Sequence, residues 1–236
     1  MKKIPLIGVF DYTVVVTYMS LVISLVGMSL AIEGSFRSAV FCLALSGVCD
    51  MFDGKIARSK KNRTDREKAF GIQIDSLCDS ICFGIFPAMI CYLMGVRGLL
   101  GWMCISYYSI CGVIRLAYFN VLESERQHME DGENRYFHGV PITSIAIILP
   151  MVFLIHMVLD DKVFLILLYA MLLIVGSLFI LDIRVKKPSI ITLVLMVLLG
   201  WVAVFMVVMY SKLRVPKMHF PQTPFHDWFV KYFISG

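Results

Sequence analysis

Residues 49–84 read CDMFDGKIARSKKNRTDREKAFGIQIDSLCDSICFG, a stretch in which charged residues interrupt a chain that is otherwise strongly apolar. Hydrophobic residues make up 59% of the 236 residues and charged residues only 17%, with a mean hydropathy of +0.81. A soluble globule of this length needs more polar surface than that. The sequence therefore predicts a protein of the lipid bilayer, in which the charged stretch must have a specific purpose.

Apolar runs of about 20 residues, long enough to cross the ~30 Å hydrocarbon core as a helix, recur along the whole chain. They cover residues 10–32, 36–53, 72–95, 98–121, 140–159, 163–182 and 189–211. Because the runs are continuous and lack the alternation of barrel strands, we predict an all-α integral membrane protein, a polytopic bundle of seven helices. The first run has no small-residue cleavage site behind it, so we expect a retained helix and not a signal peptide.

The basic residues predict the orientation of this bundle. Lys2 and Lys3 precede the first span, and seven further Lys and Arg residues lie between residues 55 and 68. Since Lys and Arg in short loops stay in the cytoplasm, we expect the polar connections 54–70 and 122–138 on that side, in the plasma (inner) membrane of a prokaryote. The net charge of +5 then reflects topology and gives no support to nucleic-acid binding. The aromatic-rich tail, residues 212–236, is expected at the membrane interface of either leaflet.

Four aspartates flank the basic connection in two pairs. Asp50 and Asp53 are three residues apart, and Asp75 and Asp79 are four apart, so each pair projects from one face of its helix. Four converging carboxylates repel one another and need a compensating positive charge. Oxygen ligands without His or thiolate select Mg²⁺, Mn²⁺ or Ca²⁺, and a carboxylate cluster can hold two such ions for displacement at phosphorus. We therefore predict a two-metal site for phosphoryl-type transfer.

Small residues and one arginine stand in register with the aspartates. Gly54 follows Asp53, Ala57 and Arg58 come next, and Gly71 lies four residues before Asp75. Gly and Ala let a flat group such as a nucleotide approach the backbone, and Arg58 can form a fork to phosphate oxygens. Taken singly, each glycine is explained as well by close helix packing. The eight positions together form the pattern D-x-x-D-G-x-x-A-R-(12 residues)-G-x-x-x-D-x-x-x-D.

This pattern resembles the signature of the CDP-alcohol phosphotransferases, integral membrane enzymes that displace CMP from a CDP-linked donor with an alcohol. The resemblance implies a six-helix core, to which the last span adds one C-terminal helix, and makes residues 1–211 one transmembrane catalytic domain. It implies that Asp50, Asp53, Asp75 and Asp79 bind two metals, that Asp79 is also the general base, and that Gly54, Ala57, Arg58 and Gly71 frame the CDP. It also implies a homodimer, for which the small residues Gly27, Ser29 and Ala31 offer a close helix contact.

Three further segments resemble the phosphatidylserine synthase branch of that family: residues 71–88, IRLAYFNV at 114–121 and FHGVPITS at 137–144. The branch implies CDP-diacylglycerol as donor, L-serine as acceptor, CMP as product and membrane lipids as surroundings. The segment FHGVPITS replaces a Gly-Lys-x-Lys-Thr block of the phosphatidylglycerophosphate synthases, which argues against a glycerol-phosphate acceptor. At the first span the chain reads IGVFDYTVV, where the family often has Pro-Asn.

Four polar residues outside the signature are candidates for the acceptor site. Arg115 near the end of the fourth span can bind the serine carboxylate or a donor phosphate, or can extend to the interface or neutralise an aspartate. Asn120, Thr143 and Ser144 offer polar contacts, but hydrogen bonds between helices explain them equally well.

The sequence leaves two alternatives open. Within the same family, the acceptor can be inositol phosphate, glycerol phosphate or another alcohol, or a CDP-choline or CDP-ethanolamine donor can pass its headgroup to diacylglycerol. Outside it, a cation transporter also carries carboxylates inside the membrane. A transporter function does not explain why Gly54, Ala57, Arg58 and Gly71 stand at fixed spacings from the aspartates.

Overall fold

Helices make up most of the chain that the computed structural model describes, which is residues 8, 12–60, 64–128, 136–156, 159–182 and 184–186. They are α1 (Val15–Ile32), α2 (Phe36–Ser59), α3 (Asp65–Asp79), α4 (Phe86–Leu93), α5 (Gly98–His128), α6 (Ile145–Ile155) and α7 (Asp161–Ile180). A π-helical segment, Ser80–Ile85, joins α3 and α4, and single turns of 3₁₀-helix at Tyr12–Val14 and Ile142–Ser144 precede α1 and α6. The predicted span 189–211 and the tail 212–236 lie outside the described residues.

Four helical runs in the described ranges are long and apolar enough to cross a membrane: Val15–Ile32, Asp65–Leu93, Gly98–Glu123 and Asp161–Ile180. A shorter apolar helix covers Ile142–Ile155. The 24 residues of α2 reach about 36 Å, but the end of this helix carries the charges of the signature. The prediction of an all-α, polytopic integral membrane protein is confirmed.

The connection between α2 and α3 is much shorter than the predicted 54–70. α2 continues to Ser59 and α3 begins at Asp65, because a helix that leaves the bilayer needs no apolar side chains to remain helical. Thr64 caps α3: its hydroxyl accepts from the Glu67 N–H at 3.2 Å, and the Glu67 carboxylate accepts from the Thr64 N–H at 2.8 Å. Lys60 and Glu67 pair at 3.2 Å across the connection. The predicted 122–138 connection was likewise wrong at its start, since α5 continues to His128.

α1 packs most extensively on α2, through a stripe of small and hydroxyl-bearing residues. The buried residues of α1 follow a spacing of three and four: Thr17, Ser20, Ser24, Gly27 and Ala31. Small residues allow two helices to approach closely in lipid, and hydroxyls placed there need partners. The expectation that Gly27 and Ala31 serve a contact between subunits was therefore wrong. Both are buried within the protomer, and Ser29 is exposed.

Gly27→Ala is expected to lower the free energy of unfolding by about 1–3 kcal/mol, measured as a lower melting temperature of the purified protein. A Cβ atom at Gly27 would lie 2.4 Å from Phe86 Cζ and 2.7 Å from Cys42 Cβ, so α1 must move away from its neighbours. The exposed Ser29→Ala on the same helix is the control and should melt as the wild type does. Equal melting of the wild type and Gly27→Ala would contradict this packing.

The interior of the bundle lies where the α3–α4 run meets α5, α6 and α7. Phe83, Phe86, Tyr108, Leu149 and Leu172 are fully buried there. The short strands β1 (Tyr136–His138) and β2 (Arg184–Lys186) pair antiparallel, which ties the segment before α6 to the chain after α7. The fully buried Phe83 and Phe86 follow Asp79 by four and seven residues, so the apolar interior begins about one turn after α3 ends.

Candidate active site

Carboxylates from α2 and α3 form a cluster. Oxygens of Asp50, Asp75 and Asp79 all lie within 4.8 Å of one another, and Asp50 is within hydrogen-bonding distance of Asp79. Asp50 lies nine residues before the end of α2, about 13 Å along its axis, so the helix continues well past the cluster. The predicted convergence of the two helices is confirmed for these three residues.

Asp53 lies at the edge of the same cluster, with its own set of partners. Its side chain is 7% exposed, and one carboxylate oxygen accepts a hydrogen bond from the Thr17 hydroxyl at 3.3 Å. The carboxyl is also within hydrogen-bonding distance of Asp75 and accepts from the backbone N–H of Gly54. Asp53 therefore links the cluster to α1.

A local change in helix geometry follows Asp79 directly. The π-helical segment Ser80–Ile85 begins at the next residue, and its backbone hydrogen bonds follow the i→i+5 pattern. The fully buried Tyr108 of α5 donates its hydroxyl to the Phe83 carbonyl, which has no α-helical donor because residue 87 is proline. Single π-helical turns occur often at functional sites. Asp79 is therefore the last α-helical residue before a π-helical segment whose residues Cys82 and Phe83 are fully buried.

α5 also contacts α3 beside the aspartates. The Ser76 hydroxyl donates to Asn120 Oδ1 at 2.6 Å, and Ser76 is the neighbour of Asp75 in the sequence. Asn120 thus takes part in a hydrogen bond between helices, one of the two interpretations that its position allowed.

The remaining signature residues lie on the same two helices. Gly54 is exposed at the residue after Asp53, and Gly71 is half-buried one turn before Asp75. Ala57 and Arg58 belong to α2, but their side chains lie outside the described part of the structure. Neither glycine itself places a side chain beside the carboxylates.

Arg115 is buried on α5, 6% exposed, at a groove of about 280 Å³ between α5 and the end of α7. Its Nε donates to the Val140 carbonyl at 3.2 Å, and its guanidinium lies 5.5 Å from the centre of the Phe119 ring. Among the described residues no carboxylate pairs with Arg115, so the interpretation that it neutralises an aspartate was wrong. None of the four signature aspartates lines the groove.

Thr143 and Ser144 form the 3₁₀ turn before α6, which packs against α2, α5 and the π-helical segment. The Ser144 hydroxyl is buried and has no hydrogen-bond partner among the described residues. A buried hydroxyl without a partner costs about 1–3 kcal/mol, so this one is suited to contact a bound polar ligand.

Sequence reasoning missed three residues that form hydrogen bonds beside the aspartates. Thr17 of α1 donates to Asp53, Ser76 of α3 donates to Asn120 of α5, and Tyr108 of α5 donates to the Phe83 carbonyl. Thr17 had a recognisable signal, because hydroxyl residues at 17, 20 and 24 follow one face of an apolar helix. Ser76 and Tyr108 had no such signal in the sequence, because single Ser and Tyr residues are common in membrane spans.

The donor set fits a hard divalent cation. Asp50, Asp75 and Asp79 supply carboxylate oxygens only, at separations that one ion can bridge, and Asp53 adds another carboxylate at the edge. Cys78 and Cys82 lie close in sequence, but oxygen ligands suit Mg²⁺, Mn²⁺ or Ca²⁺ and give no advantage to a soft metal.

Comparison with known proteins identifies the class to which this site belongs. Residues 12–215 match the model of the CDP-alcohol phosphatidyltransferase family. The chain belongs to that family, a family of transferases that use divalent cations.

The more similar relatives carry related names. The chain is 35% identical over 112 residues to the CDP-diacylglycerol–serine O-phosphatidyltransferase of Saccharomyces cerevisiae, covering 46% of this chain and 39% of the yeast protein. It is 30% identical over 132 residues to the enzyme of that name in Mycobacterium bovis, covering 56% and 44% of the two chains. It is 35% identical over 123 residues to the archaetidylserine synthase of Methanothermobacter thermautotrophicus, covering 50% and 47%. The chain thus spans less than half the length of each of these relatives.

Proposed function

We propose that the protein is a phosphatidylserine synthase, which transfers the phosphatidyl group of CDP-diacylglycerol to the hydroxyl of L-serine and releases CMP. The observation that carries this proposal is the carboxylate cluster of Asp50, Asp75 and Asp79 inside a chain of this transferase family. The names of the relatives support serine as the acceptor.

Asp50, Asp53, Asp75 and Asp79 would hold the divalent cations, two of them, Mg²⁺ or Mn²⁺, with Ca²⁺ as a further candidate. When bound there, the cations would neutralise the pyrophosphate and the charge that develops on the departing CMP. The protein's own contribution is to keep the carboxylates of α2 and α3 converged, with Thr17 of α1 donating to Asp53 and Asn120 of α5 accepting from Ser76 beside Asp75.

Asp79 is the proposed general base. As the serine hydroxyl gives its proton to Asp79, its oxygen attacks the lipid-bearing phosphorus. The bond from that phosphorus to the bridging oxygen of CMP breaks, and CMP leaves with the electron pair. Asp79 directly precedes the π-helical segment, whose buried residues would keep the proposed base next to the apolar interior.

Gly54, Ala57, Arg58 and Gly71 are the proposed CDP site. Gly54 and Gly71 carry no side chain beside Asp53 and Asp75, which would let the nucleotide approach the backbone of both helices. Arg58 would bind phosphate oxygens by a charge-assisted fork. The acyl chains of the donor would remain in the bilayer beside the bundle.

The proposed acceptor site draws on Arg115, Asn120, Thr143 and Ser144. Arg115 is a buried cation without a carboxylate partner among the described residues, and such a group favours an anion. The serine carboxylate is the anion that we assign to it. The unpartnered hydroxyl of Ser144 would meet another polar group of the amino acid.

Arg115→Lys is expected to raise the KM for serine about tenfold, with a smaller effect on the KM for CDP-diacylglycerol, because lysine keeps the charge but loses the planar fork. The control is Arg97→Lys, at the residue just before α5. Arg97 also donates Nε to a carbonyl, that of Tyr92, and lies over an aromatic ring. A rise in the KM for CDP-diacylglycerol alone would assign Arg115 to the donor phosphate instead.

The protein is an integral membrane protein, and we propose that its active site faces the cytoplasm in the inner membrane of a prokaryote. The basic residues between 55 and 68 support that side. A homodimer remains our proposal, with an interface elsewhere than the buried stripe of α1.

The direct test of the acceptor is purified protein in detergent with CDP-diacylglycerol, Mg²⁺ or Mn²⁺, and radiolabelled serine, glycerol phosphate or inositol phosphate in parallel. We expect a labelled lipid from serine and none above background from the other two. A labelled lipid from another alcohol, with none from serine, would overturn the serine assignment and leave the family chemistry in place.

A further inference from the structure

A ladder of hydroxyl groups connects α1 to α2 and ends at the carboxylate cluster. At its inner end the Ser46 hydroxyl lies 2.7 Å from the Ser20 hydroxyl and accepts from the Ser24 hydroxyl at 2.9 Å. At its outer end Thr17 donates to Asp53 at 3.3 Å. Thr17 and Ser24 are seven residues apart on α1, and Asp53 and Ser46 are seven apart on α2. Since seven residues are about two helical turns, the two contacts fix one register of α1 against α2.

Thr17 is the member of this ladder that touches a charged group. Its side chain is 5% exposed, and that of Asp53 is 7% exposed, so bulk water does not compete for their hydrogen bond. A carboxylate rotates freely about its last torsion unless a donor holds one of its oxygens. Thr17 holds one Asp53 oxygen toward α1, and the Asp53 carboxyl is also within hydrogen-bonding distance of Asp75 on α3. The backbone N–H of Gly54, the next residue, donates to the same carboxyl, so Thr17 is the donor that ties Asp53 to a second helix.

We propose that Thr17 is a positioning residue of the cation site: its hydroxyl fixes the orientation of Asp53 and thereby sets the affinity of the cluster for divalent cations. The inference rests on the proposed function only in taking the cluster to be a cation site. Partners that orient metal ligands through a hydrogen bond typically change metal affinity about 10- to 100-fold when removed. Thr17 acts through Asp53, to which its hydroxyl donates, so its effect is expected first in cation binding.

The test uses the full-length protein in detergent and measures binding of Mn²⁺ alone, from the loss of the free-ion signal in electron paramagnetic resonance. Thr17→Val keeps the shape of the side chain and removes the hydroxyl, and we expect it to weaken Mn²⁺ binding about tenfold or more. Thr17→Ser keeps the hydroxyl and should restore binding to about the wild-type value. Melting temperatures are measured for every variant, and binding is compared below the lowest of them.

Ser24→Ala is the matched control. It removes a buried hydroxyl from the same stripe of the same helix, and its hydrogen bond goes to Ser46 and not to a carboxylate. We expect a lower melting temperature with Mn²⁺ affinity close to that of the wild type. An unchanged Mn²⁺ affinity in Thr17→Val, or an equal loss in Ser24→Ala, would overturn the proposal.

The same samples separate this inference from the proposed function. A wild-type protein that binds Mn²⁺, with the expected loss in Thr17→Val, but forms no CMP from CDP-diacylglycerol and serine would support the role of Thr17 and contradict the synthase assignment. A wild-type protein that does not bind Mn²⁺ would overturn the role of Thr17.

Discussion

Asp79→Asn is expected to reduce serine-dependent CMP release about 1,000-fold, within the range that a positioned general base contributes. Asparagine keeps the size of the side chain but can accept no proton from the attacking hydroxyl. The oxygens of Asp79, Asp50 and Asp75 lie within 4.8 Å of one another, so the substitution also removes one of the three converging charges. The measurement is the initial rate of CMP formation at saturating CDP-diacylglycerol, serine and Mn²⁺.

Asp65→Asn is the control for this experiment. Asp65 opens the same helix, but its carboxylate is 97% exposed and pairs only weakly with Lys68, three residues further on. Its substitution should leave the rate within about twofold of the wild type, as surface changes usually do. A rate for Asp79→Asn above one tenth of the wild-type rate would exclude Asp79 as the base.

Removal of divalent cations is expected to stop the reaction completely, and Mg²⁺ or Mn²⁺ should restore it. Without a cation, three converging carboxylates repel one another and offer the pyrophosphate of the donor only negative charge. The measurement is CMP release after exhaustive chelation and dialysis, followed by titration with each metal. Full activity in chelated protein would contradict a metal-dependent mechanism.

A structural control accompanies the chelation experiment. The bundle is held by its apolar interior and by contacts such as Tyr108 to Phe83, none of which uses the cluster. Far-ultraviolet circular dichroism and the size-exclusion profile should therefore be unchanged after chelation. The loss of activity then reports on the site and not on unfolding.

The register of the signature was predictable because helix geometry fixes it. Residues three or four apart share a helix face, so the spacing of Asp50, Asp53, Asp75 and Asp79 is enough to imply two pairs. The short connection then brings the pairs together, and the structure confirms the cluster of Asp50, Asp75 and Asp79. Their roles, with those of the CDP and acceptor residues, stay predictions.

The ends of the helices were not predictable from apolarity. Hydropathy indicates where a chain leaves the bilayer, but a helix can continue past that point. α2 continues to Ser59, and α3 already begins at Asp65. The Thr64 and Glu67 capping pair was the usable signal, because a Ser or Thr followed three residues later by Glu marks a helix start.

The environment of α1 also escaped prediction. Small residues in a span favour close packing, but their partner can be another helix of the same chain or another subunit. The hydroxyl groups distinguish packing within the chain from packing between subunits. Thr17, Ser20 and Ser24 need polar partners, and α2 provides them in Asp53 and Ser46. A stripe that mixes hydroxyl-bearing and small residues therefore favours packing within the same chain when a neighbouring span carries polar side chains that can bond to those hydroxyls.

The origin of the oxygen that joins serine to the lipid tests the proposed chemistry most directly. Serine labelled with oxygen-18 in its hydroxyl is incubated with the purified protein, CDP-diacylglycerol and Mn²⁺, and both products are analysed by mass spectrometry. Attack of the serine hydroxyl at the lipid-bearing phosphorus predicts one CMP per phosphatidylserine, with all of the label in the lipid and none in CMP. Label in CMP, or CMP release that does not depend on serine, would contradict it.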